Sequence, residues 1–127
     1  MRYLILQPDF QHDNSGLRFH DYNELTDTSL VDPDRYRIAY YGIDDYDTSS
    51  EDQINKTLES LYFMINNKET RPHDYRGYMI APANIIGIKR YPFDRNNYEF
   101  DYYYVNSTDF MKLPDFIIPE AQLKSAL

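Results

Sequence analysis

Apolar and polar positions along this chain follow two periods, one suited to strands and one to a helix. Tyr3-Leu4-Ile5-Leu6-Gln7 is a short apolar run closed by Pro8 and Asp9, and it predicts a first strand. The run is far shorter than a signal peptide or a membrane span requires. Phe19, Tyr22 and Leu25 recur at helix-like spacing and predict a short helix near Tyr22. Asp32-Pro33-Asp34 is a turn signal, and Tyr36 to Tyr41 reads as a second strand with partial alternation. Thr48 or Ser49 is placed to cap a helix, with Glu51 or Asp52 completing a capping box. Ile54, Leu58, Leu61, Tyr62 and Ile65 then form one apolar stripe that ends near Asn66-Asn67. Asn84 to Lys89 and Phe100 to Val105 read as further strands, joined by a long hairpin loop over Pro92 to Asn97. Residues 119–127 read as a loose tail or a short helix. The pattern predicts an α+β fold: a small, mostly antiparallel sheet of about four strands with one main helix packed on it.

Length narrows this to one domain, since 127 residues can build a single core but not two, and no repeat or linker divides residues 1–127. Cysteine is absent, which excludes disulfides, thiolate metal sites and a cysteine nucleophile, and fits a cytoplasmic location. The chain carries 14 Tyr and 7 Phe but no Trp, a composition that favours contact surfaces.

Charge changes the picture most. Residues 1–66 hold 13 Asp and Glu against 5 Arg and Lys, whereas residues 67–127 hold 8 of each, so the whole net charge of −8 lies in the first half. Its densest run is Asp44, Asp45, Asp47, Glu51 and Asp52. A one-sided negative field repels phosphate backbones and steers encounters with basic surfaces, which excludes direct nucleic-acid binding by that half and favours a basic protein partner.

Catalytic chemistry finds little support. His12, His20 and His73 are scattered, and the triplets His20-Asp21-Tyr22 and His73-Asp74-Tyr75 form no acid/base or nucleophile motif. Carboxylates on an exposed loop lack the burial that raises a general acid's pKa. Asp45, Asp47, Ser49 and Glu51 alternate as calcium ligands do, but the invariant glycine and the final bidentate Glu are missing, so the spacing describes a solvated loop. The expectation is a non-enzyme without metal or cofactor.

Arg71-Pro72-His73-Asp74-Tyr75-Arg76-Gly77 is a turn in physical terms. Pro72 extends Arg71, Asp74 can bond nearby backbone amides, and Gly77 can take a positive φ. Arg71 and Arg76 could alternatively clamp an anion. The segment also resembles the signature of the YodL-like domain family, common in conjugative and other mobile elements of Firmicutes. Landmarks agree in order: Arg18-Phe19 with Tyr22 and Leu25, Asp32-Pro33 with Tyr36, Tyr41-Gly42, Leu58-Glu59 with Leu61-Tyr62 and Asn66, and Tyr103-Tyr104-Val105 with Phe110, Leu113, Pro114 and Phe116. Arg71, Pro72, Asp74, Tyr75 and Gly77 are the family-motif positions. The chain departs from the family over Tyr78 to Ile86, where relatives carry a Ser-Leu-Ser-Val-Ser-Asp-Val-Val-like run. The resemblance implies a setting in mobile elements and no reaction.

Two function classes follow. In the first, Asp44, Asp45, Asp47, Glu51 and Asp52 stand in for DNA phosphates, and Tyr46 fills an apolar slot in a basic nucleic-acid-binding protein, such as a guide-RNA nuclease of host defence. The chain is then an anti-CRISPR or antirestriction inhibitor. In the second, it is an accessory interaction module of a conjugative element that binds through Tyr91, Tyr98, Tyr102 and Tyr104 in its aromatic C-terminal half.

Overall fold

The computed structural model describes residues 1–9, 11–46, 48–89 and 99–126. Its strands are β1 (Arg2–Pro8), β2 (Tyr36–Ile43), β3 (Ile85–Lys89), β4 (Asp101–Val105) and β5 (Phe110–Lys112), and its helices are α1 (Glu51–Asn66) and α2 (Glu120–Ala126). The five strands form one antiparallel sheet in the order β2-β1-β3-β4-β5. This is the α+β fold the sequence predicts, with one more strand. The Pro92 to Asn97 loop lies outside the described residues.

Both faces of the sheet are covered, which explains why its central strands read as continuous apolar runs instead of alternating ones. On one face Tyr3, Ile5, Ile86, Ile88 and Tyr103 pack against Ile54, Leu58, Leu61 and Ile65 of α1. On the other, Leu4, Leu6, Ile85, Tyr102 and Tyr104 meet Leu17, Phe116, Ile118 and Leu123. Leu123 is buried, so the C-terminal segment is a docked helix and not a loose tail.

The partial alternation of β2 has a geometric cause. Ile5 pairs with Tyr40 and Leu6 with Ile38, leaving Ala39 as an extra residue in a bulge. Ala39 and Tyr40 consequently both address the α1 side.

Two local expectations are corrected. Ser50 caps α1, accepting a hydrogen bond from the Gln53 amide at 3.2 Å, whereas Thr48 is buried. The short helix expected near Tyr22 is present as a 3-10 helix, Tyr22–Glu24, and Phe19, with a φ of 65°, lies outside it. Gly77 has no positive φ; the left-handed residues among those described are Phe19 and Ala83. Asp32-Pro33-Asp34 does turn, with the Asp32 carboxylate accepting from the Asp34 amide at 2.9 Å.

Candidate functional site

The Arg71 to Gly77 segment leaves α1 and is tied down from three directions. Arg71 Nε donates to the Ile65 carbonyl at 2.6 Å and Thr70 Oγ1 to that of Met64 at 2.9 Å, which satisfies carbonyls at the helix end. Tyr75 N donates to Pro72 O at 3.1 Å, closing the turn. Asp74 does not bond a neighbouring amide; its Oδ1 accepts the Tyr40 hydroxyl of β2 at 3.0 Å. Arg76 Nη1 reaches the carbonyls of His73 and Tyr75 at 3.3 and 3.4 Å. Both arginines thus spend a donor on backbone carbonyls, as the structural reading of the turn expects.

Beneath the turn sits Gln7, buried in β1. Its Nε2 donates to the Tyr78 carbonyl at 2.9 Å and to Asn84 Oδ1 at 3.1 Å, while its Oε1 accepts from the Tyr78 amide at 3.0 Å and Arg37 Nη2 at 3.3 Å. The Tyr75 hydroxyl donates to the same Tyr78 carbonyl at 2.5 Å. Gly77 is needed for space: a Cβ there would lie 2.6 Å from the Tyr75 hydroxyl and 2.8 Å from Gln7 Oε1. Asn66 completes the clamp, holding both the amide and the carbonyl of Ile80 at 2.7 and 2.9 Å.

A family model described as the YodL-like domain matches residues 2–116. The chain belongs to the YodL-like domain family. No curated protein and no solved structure matches it. In this YodL-like domain, the segment holding Arg71, Pro72, Asp74, Tyr75 and Gly77 builds the joint between α1, β1 and β2 just described.

The acidic run lies at the other end of β1. There the Met1 ammonium donates to the Asp44 carbonyl at 2.9 Å, and the Asp44 amide to the Met1 carbonyl at 3.0 Å. The Asp44 carboxylate accepts from the Asp45 amide at 2.8 Å. Asp45, Glu51 and Asp52 are exposed, Tyr46 is half-buried against the core, and Asp47 lies outside the described residues. Burial raises the pKa of the Tyr3 hydroxyl, and the nearby Tyr40 hydroxyl and the charges of Asp44 and Asp74 push it further. Among the described residues no group of three or more His, Asp and Glu is placed to hold a metal, and no helix is long and apolar enough to cross a membrane.

Tyr102 and Tyr104 are both buried, because the sheet is covered on each face, and they present no contact surface. Tyr91 and Tyr98 lie outside the described residues. Sequence reasoning missed instead a groove of about 300 Å³ at the Pro8 end of β1, walled by Phe19, Tyr78, Met79 and Pro82. Its signal in the sequence was Tyr78-Met79, two large apolar side chains in a turn segment.

Proposed function

We propose that this YodL-like domain acts by binding a protein and not by catalysis, as an acidic inhibitor carried in the cytoplasm by mobile elements of Firmicutes. The reading is supported by Asp74, which accepts the Tyr40 hydroxyl at 3.0 Å, the Tyr40 ring lying 6.0 Å from that of Tyr3 at the end of β1 where Met1 and Asp44 exchange backbone hydrogen bonds. With exposed Asp45, Glu51 and Asp52 nearby in the chain, this arrangement supports a charged surface assembled from separate segments. Such a surface matches the basic groove of a nucleic-acid-handling protein, with carboxylates where phosphates would sit. A guide-RNA nuclease of host defence has a groove of that kind, since it holds nucleic acid in a positively charged channel.

The test is a pull-down from a Firmicute lysate with the full chain and with a variant combining Asp45→Asn, Glu51→Gln and Asp52→Asn. Wild type should retain a nuclease or its guide complex that elutes with salt or competing DNA, because exposed charge pairs are screened beyond about 10 Å at 0.1 M salt. The variant should lose it. Recovery of a salt-resistant partner without nucleic-acid-handling activity, or equal retention by the variant, removes the reading.

A further inference from the structure

We infer that two copies of this chain join through β2, antiparallel and about a two-fold axis at Tyr41, so that their sheets become one.

β2 lies at one edge of the sheet and β5 at the other. The β5 edge is protected against pairing: it has three residues, the last of them Lys112, and Pro114 lies just beyond. β2 has eight residues and neither proline nor lysine. Its ladder with β1 settles which of its backbone groups face outward. Met1 and Asp44 exchange hydrogen bonds at 2.9 and 3.0 Å, and at the opposite end the Asp9 amide reaches the Arg35 carbonyl at 2.7 Å. Antiparallel pairing alternates inward from those two points. With the bulge at Ala39, it turns the amides and carbonyls of Ile38, Tyr41 and Ile43 away from β1. The Tyr36 amide, outward by the same alternation, returns to the Pro33 carbonyl. Among the described residues nothing bonds the outward groups of the other three. A row of unpaired amides and carbonyls is a template for another strand.

The residues of β2 match a second β2. When Tyr41 pairs with Tyr41 of the second copy, Ile38 stands opposite Ile43, and these are the residues whose backbone groups face outward. The bulge also falls into place, because Ala39 and Tyr40 of one copy together oppose Gly42 of the other, as two residues oppose one in a bulge. All three lie on the α1 side of the sheet, Gly42 against the Tyr3 ring. Ile43 gains most, since its side chain is 67% exposed in a single chain and meets Ile38 in the pair. Arg37, on the α1 side where its Nη2 donates to Gln7 Oε1 at 3.3 Å, falls opposite Asp44 of the second copy, so opposite charges meet.

The net charge of −8 on each chain does not oppose this register. Antiparallel pairing sends the two Asp44 side chains to opposite ends of the strand pair, roughly 20 Å apart at about 3.3 Å per residue. That separation exceeds the screening length of about 8 Å at physiological salt. An edge that matches itself closes into a dimer and grows no further.

The test is sedimentation equilibrium of the full chain over a range of concentrations, beside Ile43→Lys and Ile43→Pro. Wild type should dimerise. Both changes fall on an exposed side chain with an outward amide, so circular dichroism should match wild type while dimerisation weakens by about tenfold or more. The register is read separately. The chain has no cysteine, so under mild oxidation Tyr41→Cys should link to itself across the axis, whereas Ile43→Cys, distant from its own counterpart, should not. A wild type that stays monomeric up to its solubility limit overturns the proposal. So does a dimer that both Ile43 changes leave intact, an assembly that grows beyond two copies, or an Ile43→Cys chain that links as readily as Tyr41→Cys.

Discussion

Gln7 and Tyr78 pair as two strands would, with one side-chain amide accepting from the Tyr78 N–H at 3.0 Å and donating to the Tyr78 carbonyl at 2.9 Å. A buried amide that satisfies both backbone groups of a loop residue fixes that loop as firmly as a sheet ladder would, and its removal leaves several polar groups without partners. Gln7→Glu keeps the shape but replaces the Nε2 donor with a carboxylate oxygen facing the Tyr78 carbonyl and Asn84 Oδ1. It should lower the unfolding free energy by about 3 kcal/mol, read from a shifted urea midpoint.

Gly77→Ala tests the same joint from the other side. The added methyl would meet the Tyr75 hydroxyl at 2.6 Å, its ring carbon Cζ at 2.8 Å and Gln7 Oε1 at 2.8 Å. None of these atoms is free to swing away, because Tyr75 and Gln7 both bond the Tyr78 carbonyl. A loss of about 1–3 kcal/mol is expected, measured by thermal or urea unfolding. The cost comes from crowding and not from left-handed geometry, since φ is not positive here.

The division between what was and was not legible in the sequence follows from how far apart the deciding atoms lie. The apolar run of β1 and the stripe from Ile54 to Ile65 are local patterns, and each predicts its element closely. β5 has only Phe110-Met111-Lys112, too short to show a period, and exists because β4 offers it an edge to pair with. The role of Gly77 depends on Gln7, seventy residues away, so turn chemistry named the right residue for the wrong reason. Phe19 matched a helical spacing with Tyr22 and Leu25, but spacing carries no sign of φ. Thr48 and Ser49 were the caps expected by residue type, but Thr48 is buried and the helix starts at Glu51, which makes Ser50 the cap.

Ser50→Ala should therefore lower stability by about 1 kcal/mol, while Ser50→Asp should be close to neutral, because an N-cap needs a short side chain with an acceptor oxygen. Circular dichroism during urea unfolding reads both. Glu51 and Asp52 follow in the first turn, where negative charge complements the helix dipole. Neutralising each should cost only about 0.3–1 kcal/mol, which leaves the acidic-end variant folded for binding measurements.

Alkaline pH should unfold this protein through its tyrosines. Burial pushes Tyr75 and Tyr102 from the ordinary value of 10.0 up to about 12, and holds Tyr3, Tyr36 and Tyr104 higher still. Between pH 10 and 12 the folded chain keeps protons that the unfolded chain has released. The unfolded state then binds fewer protons, so unfolding free energy falls as pH rises. The contribution is complete below pH 10 and gone above about 12. After solvent screening it is on the order of 1–2 kcal/mol for each of these two rings. Tyrosinate absorbance from these buried rings should rise together with the loss of helical circular dichroism. Tyr75→Phe should weaken the pH dependence while also removing the hydroxyl that holds the Tyr78 carbonyl. A titration in which all tyrosines ionise near pH 10 with the fold intact would contradict the buried arrangement of these rings.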